Sequence, residues 1–112
     1  MARLLGQAKP LELICTGDRV TAAEAERIGL VNKVVPAETL MASAEEMARK
    51  IMTRGPVAVG AAIEAVNHGS EVSFEEGQFL EATLFGLLCA SDDMKEGMNA
   101  FLEKRAANFQ GR

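Results

Sequence analysis

Two carboxylates are the best candidates for acid–base chemistry in this sequence. A general acid or base works best when its carboxyl group lies among apolar neighbours, because such surroundings raise a carboxyl pKa. Glu12 and Glu81 have apolar residues on both sides, in the segments LELI and FLEATLF. Neither is joined to a glycine-rich turn whose amides would stabilise an oxyanion. We therefore expect both carboxylates to be exposed or to cap helices, and we assign no catalytic residue.

The other reactive side chains are few. His68 is the only histidine, and it lies beside Gly69 at a predicted helix end, where an imidazole suits the helix dipole. Cys15 and Cys89 lie in apolar runs, and we expect them to pack as small hydrophobic side chains. Their spacing predicts neither a disulfide framework nor a zinc site, so no metal site is assigned. Free thiols favour a cytoplasmic location.

The composition is that of a globular protein. The 112 residues are 48% hydrophobic and 25% charged, and we treat residues 1–112 as a single domain. Twelve basic against 16 acidic residues give a net charge of −4, which argues against a nucleic-acid partner. We expect no membrane partner either, since no apolar run approaches the roughly 20 residues of a membrane span. Residues 1–17 also lack the features of a signal peptide.

The C-terminal end is basic although the whole chain is acidic. Residues 101–112 contain Lys104, Arg105 and Arg112 against Glu103, a net charge of +2. The first 100 residues contain 9 basic and 15 acidic side chains, a net charge of −6. The basic end could contact an anionic group. Alternatively, its cations only stabilise the C-terminal dipole of a helix.

Helix start and stop signals recur along the chain. The segments Thr21–Glu24 (TAAE) and Ser73–Glu76 (SFEE) are capping boxes, in which a hydroxyl and a carboxylate bind the free amides of a first turn. Gly17 and Gly29 are typical of helices that end in a left-handed residue. These signals divide the chain into short helices.

Apolar spacing supports an all-α fold of five or six short helices. Helices are predicted over residues 9–16, 21–29, 36–54, 56–69, 73–90 and 92–105. Leu30–Val35 is either a brief strand or an extended link. The segment Leu84–Ala90 (LFGLLCA) has no polar side, so it must be covered on several sides. We expect it to pack against something outside this chain.

Two long segments follow the pattern of one known family. Residues 16–40 read TGDRVTAAEAERIGLVNKVVPAETL, and residues 73–112 read SFEEGQFLEATLFGLLCASDDMKEGMNAFLEKRAANFQGR. Both resemble, in register and without a gap, the crotonase superfamily of enoyl-CoA hydratase/isomerase proteins. The resemblance extends over almost the whole chain, from about Arg3 to Arg112. It concerns only the C-terminal part of such enzymes.

The resemblance has direct implications for the fold. It implies the C-terminal helical trimerisation part of a crotonase fold, whose N-terminal spiral ββα core is absent from residues 1–112. The oxyanion-hole amides and the two catalytic glutamates of the family belong to that core. Glu12 and Glu81 do not match those catalytic positions, so the resemblance also assigns no catalytic residue.

The resemblance implies three CoA-binding residues. A phenylalanine matching Phe85 lies near the CoA pocket in the family. Residues matching Phe101 and Lys104 come from a neighbouring subunit, where the ring packs on the adenine end and the ammonium meets a CoA phosphate. Phe101 and Lys104 are three residues apart, so they share one helix face. The alternative is that Phe85 and Phe101 are simply core residues.

The function implied is that of a part of a larger enzyme. The parent would be a lyase that binds acyl-CoA thioesters and hydrates 2-enoyl-CoA in fatty-acid oxidation, with CoA thioester as substrate and no cofactor. Isomerase, hydrolase and decarboxylase reactions remain open. This part would serve oligomerisation, as a trimer in the parent, and would cover the CoA site; alone it should be inactive and self-associate. The alternatives are a stand-alone, non-catalytic helical oligomerisation or interaction module, and a small helical binder of CoA or acyl chains.

Overall fold

Helices make up all the regular structure in the computed structural model, which describes residues 2–112. Three short helices come first: α1 (Ala2–Leu5), α2 (Ala8–Thr16) and α3 (Ala22–Arg27). A single 3-10 turn, Ala37–Thr39, leads into α4 (Leu40–Met52). The last three are α5 (Pro56–Gly69), α6 (Phe74–Cys89) and α7 (Asp92–Glu103). The all-α prediction is confirmed: the six predicted helices form, and α1 is an additional four-residue helix.

Side-chain caps fix the starts of α3 and α6. The Thr21 hydroxyl accepts a hydrogen bond from the Glu24 amide at 3.2 Å. At α6 the box is complete, since the Ser73 hydroxyl accepts from the Glu76 amide at 3.3 Å and the Glu76 carboxylate accepts from the Ser73 amide at 3.0 Å. The Ser73 hydroxyl and amide also lower the pKa of Glu76. The capping box at Ser73 is confirmed; at Thr21 only the hydroxyl half forms, because the Glu24 carboxylate instead accepts from the Arg27 guanidinium at 2.6 Å and 2.7 Å.

The end of α3 shows the left-handed glycine that the sequence indicates. Gly29 has a φ of 78° and donates its amide hydrogen to the Glu26 carbonyl at 3.0 Å. The Leu30 amide donates to the Ala25 carbonyl at 2.8 Å, which completes a Schellman ending. After it, residues 30–32 are bends and residues 33–36 are coil, and no strand occurs among the described residues. Of the two alternatives for Leu30–Val35, the extended link is therefore correct.

The described residues form two compact units, whose boundary falls between Ala44 and Glu45. In the first unit α1 packs on α2, and Pro10 and Ala25 are buried. In the second unit α5 packs along α6, and α6 also contacts α7. The approach of α5 and α6 is close at two glycines, because a Cβ added at Gly77 would lie 3.5 Å from Gly69 Cα.

The second unit leaves most of its apolar side chains exposed. No large side chain among the described residues is fully buried. Four of the five phenylalanines are at least 62% exposed, although phenylalanine is normally among the more buried residue types. They are Phe74, Phe79, Phe85 and Phe101. None of the helices within residues 2–112 has the length and apolar character needed to cross a membrane.

Candidate functional site

The two carboxylates considered for acid–base chemistry are both exposed. Glu12 lies on α2 and pairs with the Lys9 ammonium at 3.1 Å, one turn earlier. Glu81 lies on an exposed part of α6. His68 is exposed in the last turn of α5, as expected for an imidazole at a helix C-terminus. The expectation that both carboxylates are exposed is confirmed.

The two cysteines depart from the sequence-based expectation. Cys15 on α2 and Cys89 at the end of α6 are both exposed. The expectation that they pack as small hydrophobic side chains is therefore wrong for residues 2–112. The reason is that their apolar helix faces are left uncovered by the other described residues, as with the phenylalanines.

An apolar groove lies in the second unit, between the start of α5, the end of α6 and α7. We call it the aromatic groove; its volume is about 440 Å³. Two of the predicted site residues, Phe85 from α6 and Phe101 from α7, line it together with Phe109. Neither Phe85, at 62% exposed, nor Phe101, at 83%, is buried within residues 2–112. Methionines at 94 and 98 give the groove an adaptable wall.

Phe101 also borders a second, larger groove. This open groove has a volume of about 1010 Å³ and lies between the end of α4, the start of α5 and the last residues of the chain. Arg54 and Arg105 line it together with apolar side chains. Phe101 therefore stands between one groove that is almost wholly apolar and another that carries two guanidinium groups.

Lys104 follows the last residue of α7 and adopts an unusual conformation. Its φ of 55° and ψ of 37° lie in the left-handed region, and no other non-glycine residue of the described chain has a positive φ. Its side chain is exposed. Because Lys104 lies outside the helix, the expectation that it shares one helix face with Phe101 is wrong. Within residues 2–112 its ammonium forms no ion pair, whereas the next residue, Arg105, pairs with both Glu96 and Glu103.

The C-terminal strap, residues 105–112, folds back along α7, and Glu96 holds its first half. The Glu96 carboxylate accepts two hydrogen bonds from the Arg105 guanidinium, at 2.6 Å and 2.9 Å, and one from the Asn108 amide at 2.8 Å. These donors lower the pKa of Glu96 to about 2. Conversely, Glu96 and Glu103 raise the pKa of Arg105.

Asp93 holds the second half of the strap. Asp93 is 6% exposed, and its carboxylate accepts hydrogen bonds from the Gln110 amide at 2.6 Å and the Gly111 amide at 2.8 Å. The Asp93 amide in turn donates to the Arg112 carbonyl at 3.0 Å. The end of the strap thus binds an amide in the first turn of α7 that has no partner within the helix.

Phe109 fastens the strap by packing on two glycines. A Cβ added at Gly97 of α7 would lie 3.4 Å from its ring, and one added at Gly55 would lie 3.5 Å away. Because Phe109 lines both grooves, its ring forms part of the wall between them. Sequence reasoning gave Phe109, Asp93 and Glu96 no role, because Phe109 and the strap amides that the two carboxylates bind lie after Arg105, where the sequence shows no periodic pattern.

Comparisons with known proteins point to one family. The sequence model for enoyl-CoA hydratase/isomerase matches residues 1–112. A probable mitochondrial enoyl-CoA hydratase of Dictyostelium discoideum is 43% identical over 112 residues, which cover 100% of this chain and 40% of that protein. A crotonyl-CoA hydratase of Syntrophomonas wolfei is 44% identical over 109 residues, which cover 97% of this chain and 42% of that protein.

Solved structures give the same result for the fold. The crystal structure of an enoyl-CoA hydratase from Bacillus anthracis superposes with a TM-score of 0.95 at 40% identity, covering 99% of this chain and 43% of that one. A structure from Geobacillus kaustophilus gives a TM-score of 0.93 at 42% identity, with 99% and 43% covered. The chain therefore spans about two fifths of the length of the relatives that it matches.

Proposed function

The chain belongs to the enoyl-CoA hydratase/isomerase family, and from this premise we propose that it is the helical part of an enzyme acting on acyl-CoA thioesters. The proposed reaction of the whole enzyme is the hydration of 2-enoyl-CoA, without a metal or organic cofactor. The role proposed for this part is to contact CoA through Phe85, Phe101 and Lys104 and to mediate self-association, as a trimer in the whole enzyme. The proposed location is the cytoplasm, although relatives include mitochondrial proteins.

The observation that carries the proposal is an exposed ring on the last turn of α7, followed by a cation that forms no ion pair among residues 2–112. Phe101 is 83% exposed, and the unpaired Lys104 follows it by three residues at the end of α7. An exposed apolar ring and an unpaired ammonium three residues apart suit a ligand that combines a purine with phosphate groups. CoA has this combination at its nucleotide end.

Simple energetics explain why the chain alone should bind CoA poorly. An exposed ammonium–phosphate pair contributes only about 0–1 kcal/mol, and one aromatic contact adds about 0.5–1.5 kcal/mol. Millimolar affinity requires about 4 kcal/mol. The remainder has to come from residues outside this chain, so the test needs a complete enzyme.

The test is a hybrid enzyme in which this chain replaces the matching segment of the Bacillus anthracis hydratase. We expect hydration of crotonyl-CoA, and we expect Lys104→Ala to raise KM several-fold with little change in kcat. The increase should shrink at high salt, because screening weakens a phosphate contact. Lys95→Ala is the matched control, since Lys95 is an exposed cation on the same helix that already pairs with Asp92 at 3.2 Å. Equal KM values for Lys104→Ala and the unmodified hybrid would overturn the assignment of Lys104.

The exposed apolar side chains of the second unit favour a second candidate function. A stand-alone helical module that associates with copies of itself or with a relative would use these surfaces without any catalysis. The isolated chain would then form stable oligomers and bind no CoA, and the hybrid enzyme would be inactive although folded. Hydratase activity in the hybrid would exclude this alternative.

A further inference from the structure

We infer that Glu96 is a positioning residue: it holds the chain after α7 so that Lys104 stays in its left-handed conformation with a free ammonium, available to a phosphate of a CoA thioester. The inference rests on the proposed function, which assigns Lys104 to CoA. It concerns a different residue, however, and a different property, the backbone conformation at a helix end. Three features of the structure support it.

The first feature is a helix ending that normally requires glycine. At the end of α7 the Lys104 amide donates to the Phe101 carbonyl at 3.2 Å, and the Arg105 amide donates to the Ala100 carbonyl at 3.0 Å. The end of α3 has the same hydrogen-bond pattern, but there Gly29 takes the left-handed position. A lysine has a Cβ that disfavours this conformation, whereas glycine does not. Some other interaction must therefore compensate at Lys104.

The second feature is that the residue after Lys104 is anchored. The Arg105 guanidinium forms a two-pronged contact with Glu96, nine residues earlier on α7, at 2.6 Å and 2.9 Å. The same carboxylate accepts the Asn108 amide hydrogen at 2.8 Å, so it holds both the side chain of Arg105 and the strap backbone. The backbone of Lys104 is thus held between α7, which precedes it, and Arg105, which follows it and is bound by Glu96.

The third feature is the different use of two adjacent cations. Arg105 is engaged by Glu96 and, at 2.6 Å, by Glu103. Lys104 has no ion-pair partner among the described residues. Glu96 therefore also keeps Arg105 in the strap, so that of these two adjacent cations Lys104 is the one left to meet an anion. A phosphate group is the ligand that this arrangement suits.

The experiment compares Glu96→Gln with Glu103→Gln in the full chain. Both variants remove one negative charge beside Arg105, but only Glu96 also binds the strap amide. We expect Glu96→Gln to accelerate hydrogen exchange of the Asn108 amide by roughly tenfold or more, whereas Glu103→Gln should change it by less than about twofold. The three-bond NMR coupling constant between the amide hydrogen and Hα of Lys104 reports its φ. This constant should depart from the value of a left-handed residue in Glu96→Gln and stay unchanged in Glu103→Gln.

A second measurement distinguishes a specific effect on Lys104 from a general loss of stability in Glu96→Gln. In a Lys104→Gly background the left-handed position no longer needs support, so Glu96→Gln should lower the urea midpoint less than it does in the original chain. An equal loss in both backgrounds, or an unchanged Lys104 coupling in Glu96→Gln, would overturn the positioning role.

The hybrid enzyme separates this inference from the proposed function. If both are correct, Glu96→Gln raises the KM for crotonyl-CoA in the same direction as Lys104→Ala, and Glu103→Gln does not. If Lys104→Ala raises KM but Glu96→Gln leaves it unchanged, the positioning role is wrong while the CoA assignment stands. If Lys104→Ala leaves KM unchanged, the CoA assignment itself fails.

Discussion

At the scale of single residues, two carboxylates of α7 determine the path of the last eight residues. Asp93 accepts hydrogen bonds from the amides of Gln110 and Gly111, and Glu96 accepts from Arg105 and Asn108. Ionised carboxylates are strong acceptors because each oxygen can bind more than one donor. A strap without regular secondary structure can therefore be well defined, because its amides are bonded to side chains.

Removing the Asp93 carboxylate should destabilise the chain. Asp93→Ala leaves the amides of Gln110 and Gly111 without acceptors in a partly buried position, and we expect a loss of about 2 kcal/mol in the free energy of unfolding. Asp92→Ala is the matched control: Asp92 is an exposed neighbour that pairs only with Lys95, so its loss should stay below about 1 kcal/mol. Urea unfolding followed by circular dichroism measures both. Equal losses would contradict the anchoring role of Asp93.

The strap should also respond to acid over a defined range. The pKa of Glu96 falls from 4.5 to about 2 on folding, because Arg105 and the Asn108 amide bind its charged form. A lowered pKa means that the stabilisation is complete above pH 4.5 and is lost as the pH falls towards 2. We expect hydrogen exchange at Asn108, corrected for its intrinsic pH dependence, to accelerate across that range. In Glu96→Gln this acceleration should be absent; its persistence there would point to another group, such as Glu103, which also contacts Arg105.

At the scale of helices, the sequence predicts what depends on neighbouring residues. The Thr21 hydroxyl cap, the capping box at Ser73 and the left-handed ending at Gly29 all form. Each of these signals acts within about one helical turn, so it can be recognised without the tertiary structure. The resemblance to the family, which depends on residue identities over two long segments, supplied the rest of the expected architecture.

The strap was not predictable in the same way. Glu96 and Arg105 are nine residues apart, and Asp93 and Gln110 are 17 apart, so neither pair matches a helical spacing. Their contact depends on a chain reversal at Lys104, where the usual sequence signal, a glycine, is missing. The predicted site residues Phe85 and Phe101 share one groove, but Phe109, which joins them, had no periodic pattern to identify it.

The cap of α6 should contribute measurably to stability. In Ser73→Ala the Glu76 amide loses its acceptor at the helix start, and we expect a loss of about 1 kcal/mol in the free energy of unfolding. Ser70→Ala is the control, because the Ser70 hydroxyl only donates to the Asn67 carbonyl at the exposed end of α5. The urea unfolding midpoints of the two variants, compared with that of the original chain, measure both losses. A Ser70→Ala loss as large as that of Ser73→Ala would contradict the capping role.

At the scale of the whole molecule, the main difference from expectation is how little is buried. The sequence has the apolar content of an ordinary domain, at 48%, and composition alone predicts an internal core. Yet Phe85, Phe101 and Cys89 are exposed among the described residues. Composition cannot reveal whether the groups that cover an apolar face belong to the same chain. The chain spans about two fifths of the length of the relatives that it matches.

The exposed apolar surface leads to our last prediction, that the isolated chain associates with itself. Leu87 on α6 is 68% exposed although it lies in a segment with no polar side. Exposure of such side chains to water is unfavourable. Burying one leucine against a second copy of the chain stabilises the association by about 1.5–3 kcal/mol. We expect light scattering at high protein concentration to give a mass of at least twice the 12.0 kDa of one chain.

A charge on this surface should weaken the association. Leu87→Lys removes the apolar side chain and places an ammonium in the contact, so the dissociation constant should rise roughly tenfold or more. Gln78→Lys adds the same charge at an exposed polar position of the same helix and should leave the mass unchanged. Equal effects of the two variants would mean that net charge, not apolar contact, controls association. A monomer mass of 12.0 kDa for the unmodified chain would contradict association altogether.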